Sequence, residues 1–262
     1  VLGDPIGHSK SPIMHTAAFR ALGLPHTYEA IQVKADEMPR IVQALREGAF
    51  DGLNVTVPHK ALALALADEV SEDARSIGVA NTLARVGGRI VAYNTDAPAL
   101  ALEVKALAGP REWASSRALV LGSGGAARAA IAALRAHLGV PEIVVRARSP
   151  RDLGARPLEP SLESEARTAV VIQCTSAGMR GADPGEPVAA AVAWDALPDD
   201  AVALDVVYAP PETPFLAAAK KRGLRRDNGL GMLARQGALA FEIWTGLTAP
   251  LDAMRAALGG VS

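Results

Sequence analysis

The sequence predicts an α/β protein of two domains, and three observations carry that prediction. Short apolar runs alternate with stretches of helical periodicity along most of the chain. A glycine-rich turn joins one such run directly to a helical stretch. The length, 262 residues, exceeds what one small core requires.

Val1 and Leu2 open a strand that leads into a polar loop, residues 3–10. Ser11 then reads as a helix N-cap, with Pro12 at the first helical position. Residues 28–33 read as a strand, and Asp36 as the cap of a helix through Ile41 and Leu45. A short strand is expected over residues 52–56, after which Pro58 opens a helix bearing His59 and Lys60. Ser71 begins another helix. Residues 79–86 pair with 89–93 across Gly87 and Gly88, because a two-residue hairpin turn needs positive φ at both positions. A helical stretch covers residues 98–108.

Residues 118–121 form a continuous apolar run, the pattern of a strand buried on both faces. The period changes to helix over 126–138 and returns to strand over 142–146, completing a βαβ unit. Residues 169–173 and 202–207 are further buried strands, and the Pro/Gly-rich residues 181–187 a surface loop. Residues 232–258 are helical in pattern, broken near 246–250.

Half the residues are apolar, 21% are charged, and the formal net charge is -1, which excludes the basic excess of a general nucleic-acid binder. The single cysteine, Cys174, stands in an apolar run and reads as a buried small hydrophobe rather than a reactive thiol. It fits a reducing compartment. No apolar stretch reaches the ~18 residues that span a bilayer, and no signal-peptide pattern opens the chain, so the cytoplasm is expected. The five histidines show no metal-ligand spacing, and no metal is expected. His59 reads as a solvated neighbour of Lys60.

Gly122, Ser123, Gly124, Gly125, Ala126 and Ala127 follow a strand and open a helix. That is the setting of a dinucleotide fingerprint. The first glycine turns the chain, the second lets backbone N–H groups approach a pyrophosphate, and small Ala127 permits close helix–strand packing. The bland alternative is a glycine turn without a ligand. The next strand ends Val145-Arg146-Ala147-Arg148-Ser149. An NAD site would place an acid there for the ribose 2′-hydroxyl. Here Ala147 holds the place, with Arg146, Arg148 and Arg151 nearby, so a 2′-phosphate and hence NADP is favoured, although each arginine singly also suits solvated surface.

Three clusters in the first part of the chain are polar where a core would be apolar: residues 3–12, residues 54–60, and Asn81-Thr82 with Asn94-Thr95-Asp96. Ser9, Ser11, Asn54, Thr56, Asn81 and Thr95 offer a wall of neutral donors and acceptors, suited to a polyhydroxy ring. Lys60 and Asp96 are an oppositely charged pair among them.

These residues carry a resemblance to the shikimate dehydrogenase family. It rests on Gly-x-Pro-x-x-His-Ser-x-Ser-Pro at residues 3–12, Asn-Val-Thr-Val-Pro-x-Lys at 54–60 and Asn-Thr-Asp at 94–96. It continues through the glycine loop, Thr-Ser-Ala-Gly-Met at 175–179, Asp-Val-Val-Tyr at 205–208, Gly-Leu-Gly-Met-Leu at 229–233 and Gln-Gly-Ala at 236–238.

The resemblance implies an NADP-dependent oxidoreductase that reduces the ketone of 3-dehydroshikimate to shikimate, and the reverse. Ser9, Ser11, Thr56, Asn81, Asp96 and Gln236 would bind hydroxyls and carboxylate, Lys60 would be catalytic, and Tyr208 would approach the substrate. Val206 and Gly229 would line the nicotinamide end, and Ala147, Arg148, Ser149, Arg151 and Thr175 join the glycine loop as expected cofactor contacts. The chemistry fits independently: the alkoxide formed by hydride arrival needs a proton, which a lysine ammonium steadied by a carboxylate supplies.

The architecture expected is an N-terminal α/β substrate domain, residues 1–98 with 232–262, and a Rossmann-type NADP-binding domain, residues 99–231, with the active-site cleft between them. The partner is a small-molecule substrate, with no nucleic acid or membrane, and the state monomer or homodimer. The family's asparagine before Arg-Thr is Ala147 here, its Asn-Ala-Thr is Gln173-Cys174-Thr175, and its glycine after Asn-Thr-Asp is Ala97. Two alternatives remain open from the residues: a quinate/shikimate enzyme using NAD or NADP, and a non-enzymatic NADP-binding regulator.

Overall fold

The computed structural model describes residues 1–149 and 153–259. The chain divides into two compact units, Val1–Ala99 with Leu233–Ser262, and Leu100–Met232.

The first unit begins with β1 (Leu2–Gly3), α1 (Ser11–Ala21) and β2 (Ile31–Gln32), then passes through a 3₁₀ turn at Ala35–Glu37 into α2 (Met38–Glu47). There follow β3 (Gly52–Asn54), α3 (Lys60–Ala65), β4 (Glu69–Val70), α4 (Glu72–Ile77), β5 (Thr82–Val86), β6 (Arg89–Tyr93) and α5 (Asp96–Ala108). β3, β5, β6 and β4 lie side by side in that order, while β1 and β2 form a short parallel pair. An isolated bridge from Leu2 to Val55 brings β1 beside the end of β3. Leu2, Met38, Leu45, Leu83 and Ile90 fill the core beneath these strands.

Several local expectations shift. The strand expected over 28–33 contracts to Ile31–Gln32, because Tyr28 turns inward to stack on His15 at 4.2 Å between ring centroids. Ser11 is the first helical residue rather than a cap, and its N–H donates to Ser9 Oγ at 3.3 Å. Asp36 does not cap α2: Glu37 holds the N-cap position, and its carboxylate instead closes the preceding 3₁₀ turn by accepting the Lys34 N–H at 2.8 Å. α3 starts at Lys60 rather than Pro58, after a turn closed by His59 N–H on the Thr56 carbonyl at 2.9 Å. Ser71 caps α4 as expected, accepting the Ala74 N–H, and Gly87 and Gly88 make the hairpin turn at φ 57° and 81°.

The second unit is built on β7 (Arg117–Leu121), α6 (Gly125–Ala132) with a π-helical turn at Ala133–His137, β8 (Glu142–Arg146), α7 (Leu162–Glu165) and β9 (Thr168–Gln173). It continues through α8 (Glu186–Ala190), β10 (Val202–Asp205), α9 (Pro214–Lys221) and β11 (Arg225–Asp227). The C-terminal helices are α10 (Leu230–Thr245) and α11 (Leu251–Ala257). All pairings in the five-stranded sheet are parallel, in the order β11-β10-β9-β7-β8. The order reverses between β7 and β9, and the carboxyl ends of strands at such a reversal are the usual ligand site of an open α/β sheet.

The surface loop at 181–187 is shorter than expected, since Glu186 and Pro187 already belong to α8. β10 stops at Asp205, whose buried carboxylate accepts the Val207 N–H at 2.9 Å. β4 and β11 were illegible in the sequence: each is only two or three residues at a sheet edge, and β11 reads Arg-Arg-Asp.

Candidate active site

In the first unit, backbone pairing sets the reactive side chains. Val55 N–H donates to the Asn81 carbonyl at 2.8 Å, Asn81 N–H to the Tyr93 carbonyl at 3.1 Å, and Ala80 N–H to the Lys60 carbonyl at 3.0 Å. The starts of α3 and α5 are thereby held against the same strand ends. Lys60 Nζ lies 2.6 Å from Asp96 Oδ2, with side-chain exposures of 23% and 13%. Asp96 is the one hydrogen-bond partner of that ammonium among the described residues.

The other carboxylate oxygen, Asp96 Oδ1, accepts from Asn81 Nδ2 at 2.9 Å. Asn81 is itself fixed. Its Oδ1 accepts the Thr95 N–H at 2.8 Å, which can only donate, so the amide orientation is determined. Its Nδ2 also reaches Thr95 Oγ1 at 2.9 Å and, at 3.5 Å, Gln236 Oε1 on α10. Asn94 Oδ1 accepts the N–H groups of Asp96 and Ala97, two donors otherwise unpaired at the start of α5.

Lys60, Asp96, Asn81 and Gln236, singled out in the sequence, thus form one connected network. Ser9, Ser11 and Thr56 lie on the adjoining segments, which Asp4 N–H ties to the Val57 carbonyl and Thr56 N–H to the Leu2 carbonyl. Asn54 departs from expectation. Both its amide hydrogens are committed inside the fold, to the Asn81 carbonyl at 3.2 Å and Thr82 Oγ1 at 3.0 Å, and its Oδ1 accepts from Tyr28 OH at 2.6 Å. Its part is to brace Asn81 rather than to offer a donor to a ligand.

His59 is not solvated either: it is buried, and its Nε2 lies 2.6 Å from the Val33 carbonyl, so that nitrogen carries the proton. Tyr28 is the supporting residue that sequence reasoning missed, a lone tyrosine carrying no signal, whereas Thr82 stood in a polar cluster beside Asn81 without a role of its own.

In the second unit, the glycine loop follows β7 at the reversal of strand order. Gly122 has φ 121°, and a Cβ there would stand 3.1 Å from Thr175 Cγ2 and 3.2 Å from the Cys174 carbonyl group. At Gly124 and Gly125 a Cβ would meet nothing within 4 Å, so the space over the start of α6 is open. No side chain caps α6 and its first turn holds no acid, leaving its first N–H groups directed at that space. Ala127 is fully buried against the sheet. These residues fit a pyrophosphate.

After β9, Gln173 uses its amide to order the next turn: it accepts the Thr175 N–H and donates to the Ala177 carbonyl at 3.1 Å. Cys174 is buried, and burial pushes its thiol pKa up. Gly229 is demanded by packing, since a Cβ would fall 2.2 Å from the Val206 carbonyl oxygen. Burial pushes the half-buried Tyr208 phenol up.

The arginines at the end of β8 separate into different roles. Arg146 is 2% exposed, and its guanidinium forks onto Glu165 at 2.7 and 2.9 Å and onto the Ala191 carbonyl at 2.8 Å. Buried on these partners, it holds the fold together and is withdrawn from solvent. Ala147 is buried, Ser149 is exposed, and Arg148 is exposed and paired with Asp183 at 2.7 Å. Arg151 lies outside the described residues. Among the described residues no cluster of three or more metal-ligating side chains occurs, and no helix is long and apolar enough to cross a membrane.

Comparison with known proteins places these features. Residues 1–83 match the family model of the shikimate dehydrogenase substrate binding domain, and residues 229–258 that of the shikimate 5′-dehydrogenase C-terminal domain. The chain is 40% identical over 276 residues to a shikimate dehydrogenase (NADP(+)) of Thermus thermophilus, covering 99% of this chain and 98% of that one. Among solved structures it resembles Thermus thermophilus shikimate 5-dehydrogenase in complex with NADP(H) and shikimate, with TM-score 0.83, 39% identity, and coverage of 98% and 96%. It also resembles a shikimate 5-dehydrogenase from Listeria monocytogenes in complex with shikimate and NAD, with TM-score 0.84, 29% identity, and coverage of 98% and 94%.

Proposed function

Because this chain belongs to the shikimate dehydrogenase family, we propose that Lys60 and Asp96 are the proton-transfer centre of its reaction. The chain is an NADP-dependent oxidoreductase that interconverts 3-dehydroshikimate and shikimate. The observation that carries the catalytic reading is the partly exposed Lys60 ammonium on a carboxylate whose second oxygen is held by Asn81.

When bound, the dihydronicotinamide supplies a hydride to the ketone carbon. The alkoxide that develops on the ketone oxygen takes a proton from Lys60 Nζ, and in the reverse direction neutral Lys60 removes the proton of the alcohol. Asp96 keeps the ammonium aimed and offsets its charge, and Asn81 keeps Asp96 from turning away. Ser9, Ser11, Thr56, Asn81, Asp96 and Gln236 bind the ring hydroxyls and the carboxylate, joined by Tyr208. Gly122, Ser123, Gly124, Gly125, Ala126 and Ala127 take the pyrophosphate at the start of α6. Arg148, with Ser149 and Arg151, takes the 2′-phosphate, while Thr175, Val206 and Gly229 line the nicotinamide end.

In this reading unit Val1–Ala99 with Leu233–Ser262 carries substrate and proton transfer, and unit Leu100–Met232 carries NADP. The protein acts as a cytoplasmic monomer or homodimer with a small-molecule substrate alone. A second reading, an enzyme that also accepts quinate or NAD, is favoured on the NAD side by one feature: Arg146 is withdrawn into the core and Arg148 is already paired.

Absorbance of reduced nicotinamide distinguishes the readings when purified protein is mixed with shikimate or quinate, each with NADP or NAD. Turnover confined to shikimate with NADP is expected. Equal turnover with NAD or quinate moves the chain to the second reading, and silence with all four pairs removes the proposed chemistry.

A further inference from the structure

The arginines at the end of β8 differ in what they face. Arg146 points into the core, locked on Glu165, and Ala147 has no donor to offer. Arg148, the next arginine along the chain, instead holds an exposed guanidinium, and Arg156, whose backbone pairs with Val145 and Ala147, is a second exposed arginine at this strand end. Arg148 Nη1 lies 2.7 Å from Asp183 Oδ2, and the two side chains are 72% and 55% exposed.

Asp183 is not a loosely placed surface acid. It belongs to the loop that follows β9, and its backbone carbonyl accepts the Gly178 N–H at 2.8 Å. Gly178 reaches that bond at φ 86°, with a Cβ position only 3.3 Å from Thr213. The loop that places Asp183 is thus anchored within the second unit, and it sets a carboxylate on the same guanidinium that a 2′-phosphate would grip.

A phosphate monoester carries about -1.5 to -2 charges near neutral pH and favours the same bidentate geometry as a carboxylate. Two acceptors of like charge cannot both hold one guanidinium without repulsion. A ribose 2′-hydroxyl is neutral and meets no such penalty. We propose that Asp183 is a specificity-determining residue: it occupies Arg148 in the free protein, must yield when the 2′-phosphate arrives, and so narrows the preference for NADP over NAD. This rests on the reading that Arg148 receives the 2′-phosphate.

The test is equilibrium binding of NADP⁺ and NAD⁺, followed by tryptophan fluorescence and by calorimetry, with no turnover required. Wild type, Asp183→Asn, Arg148→Gln and the double variant are compared. An exposed pair is weak, so Asp183→Asn should tighten NADP⁺ only roughly three- to tenfold and leave NAD⁺ within about twofold. In the Arg148→Gln background the same change should alter NADP⁺ binding by less than about twofold, because the contested cation is gone. Unchanged or weaker NADP⁺ binding in Asp183→Asn, or equal tightening of both nucleotides, overturns the proposal. If Arg148→Gln leaves NADP⁺ binding intact, the reading of the phosphate site has failed and the proposal falls with it. NADP⁺ binding that depends on Arg148 but not on Asp183 sinks the proposal alone.

Discussion

Lys60 in the first unit and Arg146 in the second are both cations gripped by a carboxylate at 2.6 and 2.7 Å, yet they serve opposite ends. Arg146 and Glu165 are 3% and 0% exposed, and their remaining bonds go to the Ala191 carbonyl and to the Ser161 and Ala193 N–H groups. Lys60 and Asp96 keep 23% and 13% exposure, and the ammonium spends one bond on its partner. A charge pair closed on all sides specifies packing. One left partly open, with proton-bearing positions unspent, is available for proton transfer. Distance alone does not separate the two; access to solvent does.

The sharpest way to break this comparison is at Lys60. Lys60→Ala should lower kcat by roughly 10²- to 10⁴-fold, the usual range for a general acid–base group, with the thermal midpoint little changed. Steady-state kinetics beside a melting curve decides it, and near-normal kcat would remove the proton-transfer role.

Arg146→Met should do the reverse, leaving kcat of the folded protein intact while costing about 3–5 kcal/mol of stability, because Glu165 is left buried and unpaired. Adding Glu165→Gln should restore most of that loss while keeping an acceptor for the Ser161 and Ala193 N–H groups. Denaturant titration reads both. A mild Arg146→Met would mean that water reaches the pair.

His15 sharpens the comparison from a third side: it is fully buried on Tyr28, and neither ring nitrogen has a hydrogen-bond partner among the described residues. Burial lowers its pKa from 6.5 to about 3, so the folded state keeps the ring neutral. The unfolded chain binds the proton first as pH falls, so the stability contributed is complete above pH 6.5 and drains away toward pH 3. Between pH 8 and pH 5 this amounts to about 2 kcal/mol, from 1.5 pH units at 1.36 kcal/mol each. His15→Phe should lose that difference, seen as a smaller shift of the denaturation midpoint between the two pH values. The same shift in both proteins would show that the site admits water and protons in the folded state.

Asp205 slopes the other way. Burial raises its pKa to about 6 against the bonds from Thr213 and Val207. Its contribution is full below pH 3.8 and is lost as pH rises through about 6. Substituting His15 isolates the histidine part of the summed profile.

The glycine fingerprint and its place between a buried strand and a helix were legible because both rest on local rules: positive φ at Gly122, an uncapped helix start, and small Ala127 against the sheet. Lys60, Asp96 and Asn81 were legible as polar groups in otherwise apolar surroundings and as parts of recognisable motifs. The roles of Arg146, His59 and Asn54 were not. Each is polar and lies within or beside a candidate site motif in sequence, but each is turned inward by a partner distant along the chain: Glu165, the Val33 carbonyl and Tyr28.

The sequence by itself determined the alternation of strands and helices, the phosphate loop, and the chemical types present at the reactive centre, because backbone conformation and motif spacing are encoded within a few residues. Only the tertiary structure decided which charges are spent. Whether Arg146 or Arg148 faces solvent, and whether Asp183 stands on the latter, depends on bonds that span 19 and 35 positions and close only when the sheet assembles.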